Sequence, residues 1–336
     1  MSAYLLCNKY TMEILNKLKE ASFNQNKTST KTIFDTIQPI NKIHTGKTIL
    51  TIFAGRKYFL EILFIYLDEL IRKDKLTEVH LWNYSRSTTD GIWIESLNKN
   101  KYKIFEPENK NGWQWEEYYN YYYTQNKYAD NDILIKCDDD IVYLDIENFD
   151  FFIKQIDNNH LYFPNIVNND VGAFIQTMND IHPYLKSVDK RKLICGNTEP
   201  LTSWYQSYQK ADLIHNHFLQ NHKKYTLKID NIIWNSRISI NFFGARIKFI
   251  KYLYRLFYER ENKMDDEAFY AWICKAHNLY HVIVPRFVVT HFSFGPQNNL
   301  LLENKYISEY YKLANNTMKQ ENQDEQDSFL TSEFVM

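Results

Sequence analysis

Apolar positions fall in short runs separated by amphipathic stretches, and this alternation predicts strands and helices in turn. Thr48-Ile49-Leu50-Thr51-Ile52-Phe53 has the length and β-branched content of a strand. Ala54-Gly55-Arg56 turns the chain, and Leu60, Leu63, Phe64, Leu67, Leu70 and Ile71 then recur at the spacing of one helix face. Glu78-Val79-His80-Leu81-Trp82 reads as the next strand, ending at Asn83. Such a strand–helix–strand unit predicts a parallel pair joined by a right-handed crossover. A short helix over 90–97, a strand over 101–105 closed by Pro107, a helix over 113–128 and a strand over 132–137 follow. In the third of these, Trp115, Tyr118, Tyr119, Tyr122 and Tyr123 form an aromatic stripe, which reads as core and not as a base-stacking platform. The order predicts an α/β sandwich.

Further on, the pattern predicts a helix over 147–157 and a strand over 161–167, in which Pro164 suggests a sheet edge or a strand end. Residues 168–204 show no clear period, and loops of that length are often functional. A helix over 204–219 and a strand over 238–243, ending at Gly244, come next. Residues 251–260 are basic and aromatic, with no wider positive patch, and read as a solvated face. Met264-Asp265-Asp266-Glu267 opens a helix whose first-turn acids suit the helix dipole and its free N–H groups. Two short strands, 281–284 and 286–290, flank Pro285, and the second delivers His291 into a polar segment. A last helix covers 306–313. Residues 1–45 read as an N-terminal extension with a weak helical pattern at Met12, Leu15 and Leu18, and 316–336 as a disordered tail.

The chemistry concentrates in Ile133-Leu134-Ile135-Lys136-Cys137-Asp138-Asp139-Asp140-Ile141-Val142, where an apolar run stops at three consecutive carboxylates. Like charges a few ångströms apart repel, and a divalent cation would relieve them, because hard cations take carboxylate oxygens. A solvated acidic turn is the alternative. Ligands of parallel sheets bind at the carboxyl ends of the strands. That places the loops from Phe53 to Arg56 and from Asn83 to Asp90 beside any ligand. The Gly55 loop is not a GxGxxG sequence, so a dinucleotide fingerprint is not supported.

Charge and cysteine content narrow the classes further. A net charge of −1 gives no bulk attraction to nucleic acid or anionic membrane, so no nucleic-acid partner is expected. Cys7, Cys137, Cys195 and Cys274 form no CxxC pair, which argues against zinc-ribbon and thioredoxin chemistry and suits a reducing compartment. The first residues lack an apolar signal core, and no apolar run approaches the length of an integral membrane span. A soluble, cytoplasmic protein is the expectation.

Three features occur in one order: an acidic strand end, a later acidic helix start and a His near the end of the fold. In this the chain resembles the GT-A class of nucleotide-sugar glycosyltransferases over about residues 46–296. Asp138-Asp139-Asp140 matches the DxD motif, Met264-Asp265-Asp266 the xED motif, and His291 the C-terminal histidine, with Gly244 in the glycine-bearing loop before the xED helix. The resemblance implies a GT-A-like, Rossmann-related α/β/α sandwich with a mixed, mostly parallel sheet. It implies one catalytic domain over 46–315, with a nucleotide-binding half over 46–145 and an acceptor half over 146–315. It also implies a metal-dependent hexosyl- or N-acetylhexosaminyltransferase. The donor would be a nucleoside-diphosphate sugar, most often a UDP-sugar in this family, and the acceptor a glycan, protein or lipid-linked hydroxyl.

The implied cofactor is Mn²⁺ or Mg²⁺, held by Asp140 and His291, and an imidazole ligand tilts the choice to Mn²⁺. Asp138 and Asp139 would meet the ribose, the base or metal-bound water. Phe53, Ala54 and Arg56 would touch the nucleotide, with Asn83 and Asp90 as further contacts. Asp266 would be the base of an inverting transfer. Asp at 265 departs from the usual Glu and leaves the base open among Asp265, Asp266 and Glu267, and inversion against retention stays open with it. Two alternatives remain: a sugar-phosphate nucleotidyltransferase, and a non-catalytic carbohydrate-binding protein using Trp113 and Trp204.

Overall fold

The computed structural model describes residues 46–108, 115–124, 127–181, 207–235, 237–258, 266–297 and 300–333. The expectations for 1–45, for 182–204 and for Trp113, Trp204 and Asp265 lie outside these. In chain order the elements are β1 (Thr48–Ala54), α1 (Lys57–Arg72), β2 (Glu78–Asn83), α2 (Thr88–Glu95), β3 (Tyr102–Phe105), α3 (Trp115–Thr124), β4 (Ile133–Asp138) and β5 (Ile141–Leu144). Then come α4 (Phe149–Gln155), β6 (Tyr162–Val167), α5 (Asp170–Met178), α6 (Tyr208–Asn221), β7 (Ile232–Trp234) and β8 (Phe242–Arg246). The last are α7 (Ile247–Tyr258), α8 (Asp266–Ala276), β9 (His281–His291) and α9 (Leu300–Glu333).

One nine-stranded mixed sheet runs β3-β2-β1-β4-β8-β6-β9-β5, with β7 also on β9. Strands β1, β2, β3, β4, β6 and β9 point one way, and β5, β7 and β8 the other. The chain steps outward from β1 to β3 and then returns past β1 to β4. Right-handed crossovers in opposite directions put α1 and α2 on one face and α3 on the other. Side chains agree. Tyr122 of α3 donates to Thr51 of β1 at 2.8 Å, and Phe243 of β8 meets Tyr270 of α8. On the opposite face Phe242 meets Phe152 of α4. The architecture is an α/β/α sandwich whose strand order reverses between β1 and β4, the place where such sheets form a crevice.

The second half differs from the sequence-based expectation in six places. Residues 170–178 form a helix where no period is legible, because Val171 to Gln176 are all buried and no polar face marks the stripe. Pro164 lies in an interior strand, β6, between β8 and β9. It is tolerated at a register shift, where Pro164 pairs with Val284 but Asn165 with Val288. The same irregularity absorbs Pro285, so the two expected strands are one, β9. The strand expected over 238–243 is shifted to 242–246, with Gly244 inside it. Residues 238–241 run past the end of β4, and the Asn241 carbonyl there accepts from Asp138 N–H at 2.8 Å.

The segment 251–260 is not simply a solvated face. Through residue 258 it belongs to α7, whose Ile247, Ile250, Leu253, Tyr254 and Phe257 are buried along one stripe. Finally, α9 continues through Glu333, across most of the expected tail. Met318 packs against the core and Glu321 pairs with Lys73 at 2.5 Å, so α1 gives this polar helix a surface to lie on. Among the described residues no helix is long and apolar enough to cross a membrane.

Candidate functional site

The three acids sit where β4 ends beside β1, with Asp138 registered against Phe53. Each has acquired its own cationic partner. Asp138 takes an ion pair from Lys136 and a hydrogen bond from Asn241 Nδ2 at 3.0 Å. Lys136 is buried, donates also to the Ile240 carbonyl at 2.7 Å and lies over the Phe53 ring. Burial disfavours its charge, yet Asp138 outweighs burial and holds the amine above its usual range. Asp139 accepts the N–H groups of Gly55 at 3.0 Å and Arg56 at 2.8 Å, and the Arg56 Nη2 at 2.5 Å. Burial pushes its carboxyl up, with Arg56 opposing. The Asp140 Oδ2 is 3.1 Å from Arg56 Nη2 and 3.3 Å from His291 Nε2. Burial works against its charge, but His291 and Arg56 hold it below the usual carboxylate range. Burial likewise lowers His291, and Asp140 more than reverses this.

Sheet pairing explains how a residue 151 positions downstream reaches Asp140. After the acids the chain turns back as β5, which pairs antiparallel with β9 so that Ile141 faces His291. The end of β9 is then pinned from three sides. Phe292 N–H donates to the Asp140 carbonyl at 2.9 Å. Asn168, at the end of β6 with φ 59°, donates to the Phe292 carbonyl at 2.8 Å. His215 of α6 bridges that same carbonyl, at 2.8 Å, to Tyr310 of α9, at 2.7 Å. Burial pulls the His215 imidazole down to about 4, so it serves as a neutral strut.

One ligand atom from each of Asp138, Asp140 and His291 lies within 4.8 Å of the other two, the one such group of three among the described residues. Two carboxylates and an imidazole suit a Mn²⁺ or Mg²⁺ ion. The His291 Nδ1 is buried and has no hydrogen-bond partner among the described residues. Carboxylate oxygens with an imidazole are donors that such an ion takes, so the donor set fits the implied metal.

The remaining expected residues spread outward from this cluster. Phe53 stacks on Tyr118 at 4.3 Å and tilts against Tyr84 at 5.1 Å. Ala54 is buried and registered against Asn83. Asn83 is buried and donates to Glu106 at 2.8 Å. Asp90 lies in the first turn of α2, where its N–H meets the Ser87 cap at 3.3 Å. Arg56 is engaged by Asp139 and Asp140. Asp266 stands outside the three-residue group, at the start of α8. Its Oδ1 accepts from Glu267 N–H at 3.0 Å and its Oδ2 from Tyr119 at 3.5 Å, and its charge is felt by Lys136. Glu267 accepts from Arg237 at 2.7 Å.

Sequence reasoning missed Lys136 and Asn241. Lys136 had a signal, since a lone cation inside an apolar strand must find a carboxylate. Asn241 had none.

No protein-family model matches the chain, and no curated protein matches it. Among solved structures, 4-diphosphocytidyl-2C-methyl-D-erythritol synthase from Anaerococcus prevotii is similar with a TM-score of 0.39 and 12% identity, over 80% of this chain and 96% of that one. GalNAc-T7, solved with UDP, GalNAc and Mn²⁺, is similar with a TM-score of 0.42 and 12% identity. That match spans 75% of this chain and 44% of the other. The chain shares an α/β likeness with both and is assigned to neither.

Proposed function

We propose that the chain is a metal-dependent glycosyltransferase. It would move a sugar from a nucleoside-diphosphate sugar, a UDP-sugar first among candidates, to a hydroxyl of a glycan, protein or lipid-linked acceptor with inversion. The observation that carries this is the convergence of Asp138, Asp140 and His291 at the carboxyl end of the central strands. Those three side chains would hold the cation, Mn²⁺ ahead of Mg²⁺ because of the imidazole. When bound, the cation supplies positive charge to the diphosphate leaving group. Phe53, Ala54, Asn83 and Asp90 would flank the nucleotide, and Asp139 would fix the Gly55–Arg56 turn against it. Asp266 would take the proton of the acceptor hydroxyl on its carboxylate as the acceptor oxygen bonds to the anomeric carbon and the bond to diphosphate breaks.

A panel of nucleoside-diphosphate sugars with Mn²⁺ or Mg²⁺, read by release of free nucleoside diphosphate, tests the proposal. Release should require metal, stop with EDTA and fall at least about 100-fold in Asp140→Ala with circular dichroism unchanged. Failure of every donor to bind in the presence of metal overturns the reading. Pyrophosphate release from a nucleoside triphosphate and a sugar phosphate would replace it with a nucleotidyltransferase.

A further inference from the structure

Asp170 opens α5 but does not cap it. Asn169 does so: its Oδ1 accepts from Val171 N–H at 3.0 Å and Gly172 N–H at 3.3 Å, and its carbonyl from Ala173 N–H at 2.7 Å. Asp170 is 5% exposed, and its Oδ2 has no hydrogen-bond partner among the described residues. Buried carboxyl oxygens nearly always have partners, so an unmet one marks a place for a group that no described residue supplies.

The surroundings describe that group. Glu267 from the start of α8, Lys210 from the first turn of α6 and Arg237 from the segment before β8 all act on Asp170. Glu267 is held by Arg237 Nε at 2.7 Å and faces Ser239 Oγ at 3.4 Å. Burial first, then the Glu267 charge, pushes the Asp170 carboxyl up to about 8, with Lys210 and Arg237 opposing. At neutral pH Asp170 therefore carries a proton and can both donate and accept. The cluster is continuous with the metal-ligand group. Asn169 Nδ2 donates to Asn241 Oδ1 at 3.3 Å, and Asn241 Nδ2 to Asp138 Oδ2 at 3.0 Å. It also abuts Asp266 through its chain neighbour Glu267.

We propose that Asp170, framed by Glu267, Lys210 and Arg237, is a subsite for the ring hydroxyls of the acceptor, and that the acceptor is a sugar. The inference rests on the transferase reading. A sugar hydroxyl donates one hydrogen bond and accepts others, which matches a protonated carboxyl flanked by one carboxylate and two cations. A phosphate would meet Glu267 repulsively, and an apolar peptide would leave the Asp170 Oδ2 unmet. Position decides between donor and acceptor: the subsite adjoins Asp266, the group proposed to deprotonate the acceptor.

Saturation-transfer NMR on the full chain, with Mg²⁺, UDP and a panel of methyl hexosides and methyl N-acetylhexosaminides, tests this. In the wild type UDP and at least one glycoside should receive saturation. Asp170→Ala should weaken that glycoside at least about fivefold while leaving UDP unchanged, and the UDP signal doubles as the control for folding. Wild-type glycoside affinity should fall as pH rises through 8, and Asp170→Asn should remove this dependence. UDP binding without any glycoside binding, an undiminished glycoside in Asp170→Ala, or an unchanged pH profile in Asp170→Asn each overturns the subsite. Absence of UDP binding in the wild type instead overturns the transferase reading on which it rests.

Discussion

One guanidinium, that of Arg56, reaches two of the three acids, Asp139 at 2.5 Å and Asp140 at 3.1 Å. Asp139 is buried, so removing Arg56 leaves it with two backbone N–H donors alone. Arg56→Met should lower unfolding stability by about 1–3 kcal/mol in urea titration, and Arg56→Lys should recover part of it, because an ammonium cannot reproduce the fork. Asp170 gives a prediction with a pH signature. Its carboxyl rises from 3.8 unfolded to about 8 folded, so between these values the folded chain keeps a proton that the unfolded chain releases. Stability is therefore lost progressively as pH rises across that window. Asp170→Asn should melt about 2–5 °C above wild type at pH 8, and the gap should close toward pH 4. At this scale the acids Asp138, Asp139 and Asp140 and His291 were legible because charge at the end of an apolar run is conspicuous. The partnership of Asp139 with Arg56 was not, since nothing in the sequence shows which acid turns inward.

Elements meet the site through two glycines with different tolerances. A Cβ on Gly172 would lie 1.8 Å from the Ile166 carbonyl oxygen, because the start of α5 backs directly onto β6. Gly172→Ala should cost more than about 3 kcal/mol or abolish soluble expression, since a backbone atom cannot step aside. A Cβ on Gly244 would meet the Ile156 Cδ1 at 2.7 Å, the far end of a flexible side chain. Gly244→Ala should therefore cost about 1 kcal/mol in a thermal melt. The helices and strands of the first half were legible because each has one buried face and a clean period. Helix α5, buried all round, and β9, one strand across a proline, were not, because burial on every side and a compensated bulge erase the periodic signal.

The whole molecule carries a second pH dependence of opposite sign. Burial holds His281 down to about 3 and His215 down to about 4. An unfolded chain takes up those protons near pH 6.5, so stability falls as pH drops from there toward 4. Acid unfolding should begin below about pH 6, and His281→Gln should flatten the midpoint-against-pH curve between pH 6 and 4. The parallel pairing of β1 with β2 follows from a short local crossover and could be read from sequence. The order β8-β6-β9-β5 joins strands whose nearest partners lie up to about 150 residues apart, a choice that local pattern does not encode.

Strand β9 has a temporal consequence. It is the partner of β5, β6 and β7 together, and it ends in His291. A nascent chain can assemble β1 to β4 as soon as residue 138 has emerged, but β5 and β7 have no neighbour in the sheet until residues 281–291 are made. Until then their edges stand open to other chains. Convergence of Asp138, Asp140 and His291 is then an event of the last stage of folding. Synthesis halted between 145 and 280 should yield an aggregation-prone chain with a finished first half and an Asp138–Asp140 pair still missing the His291 imidazole.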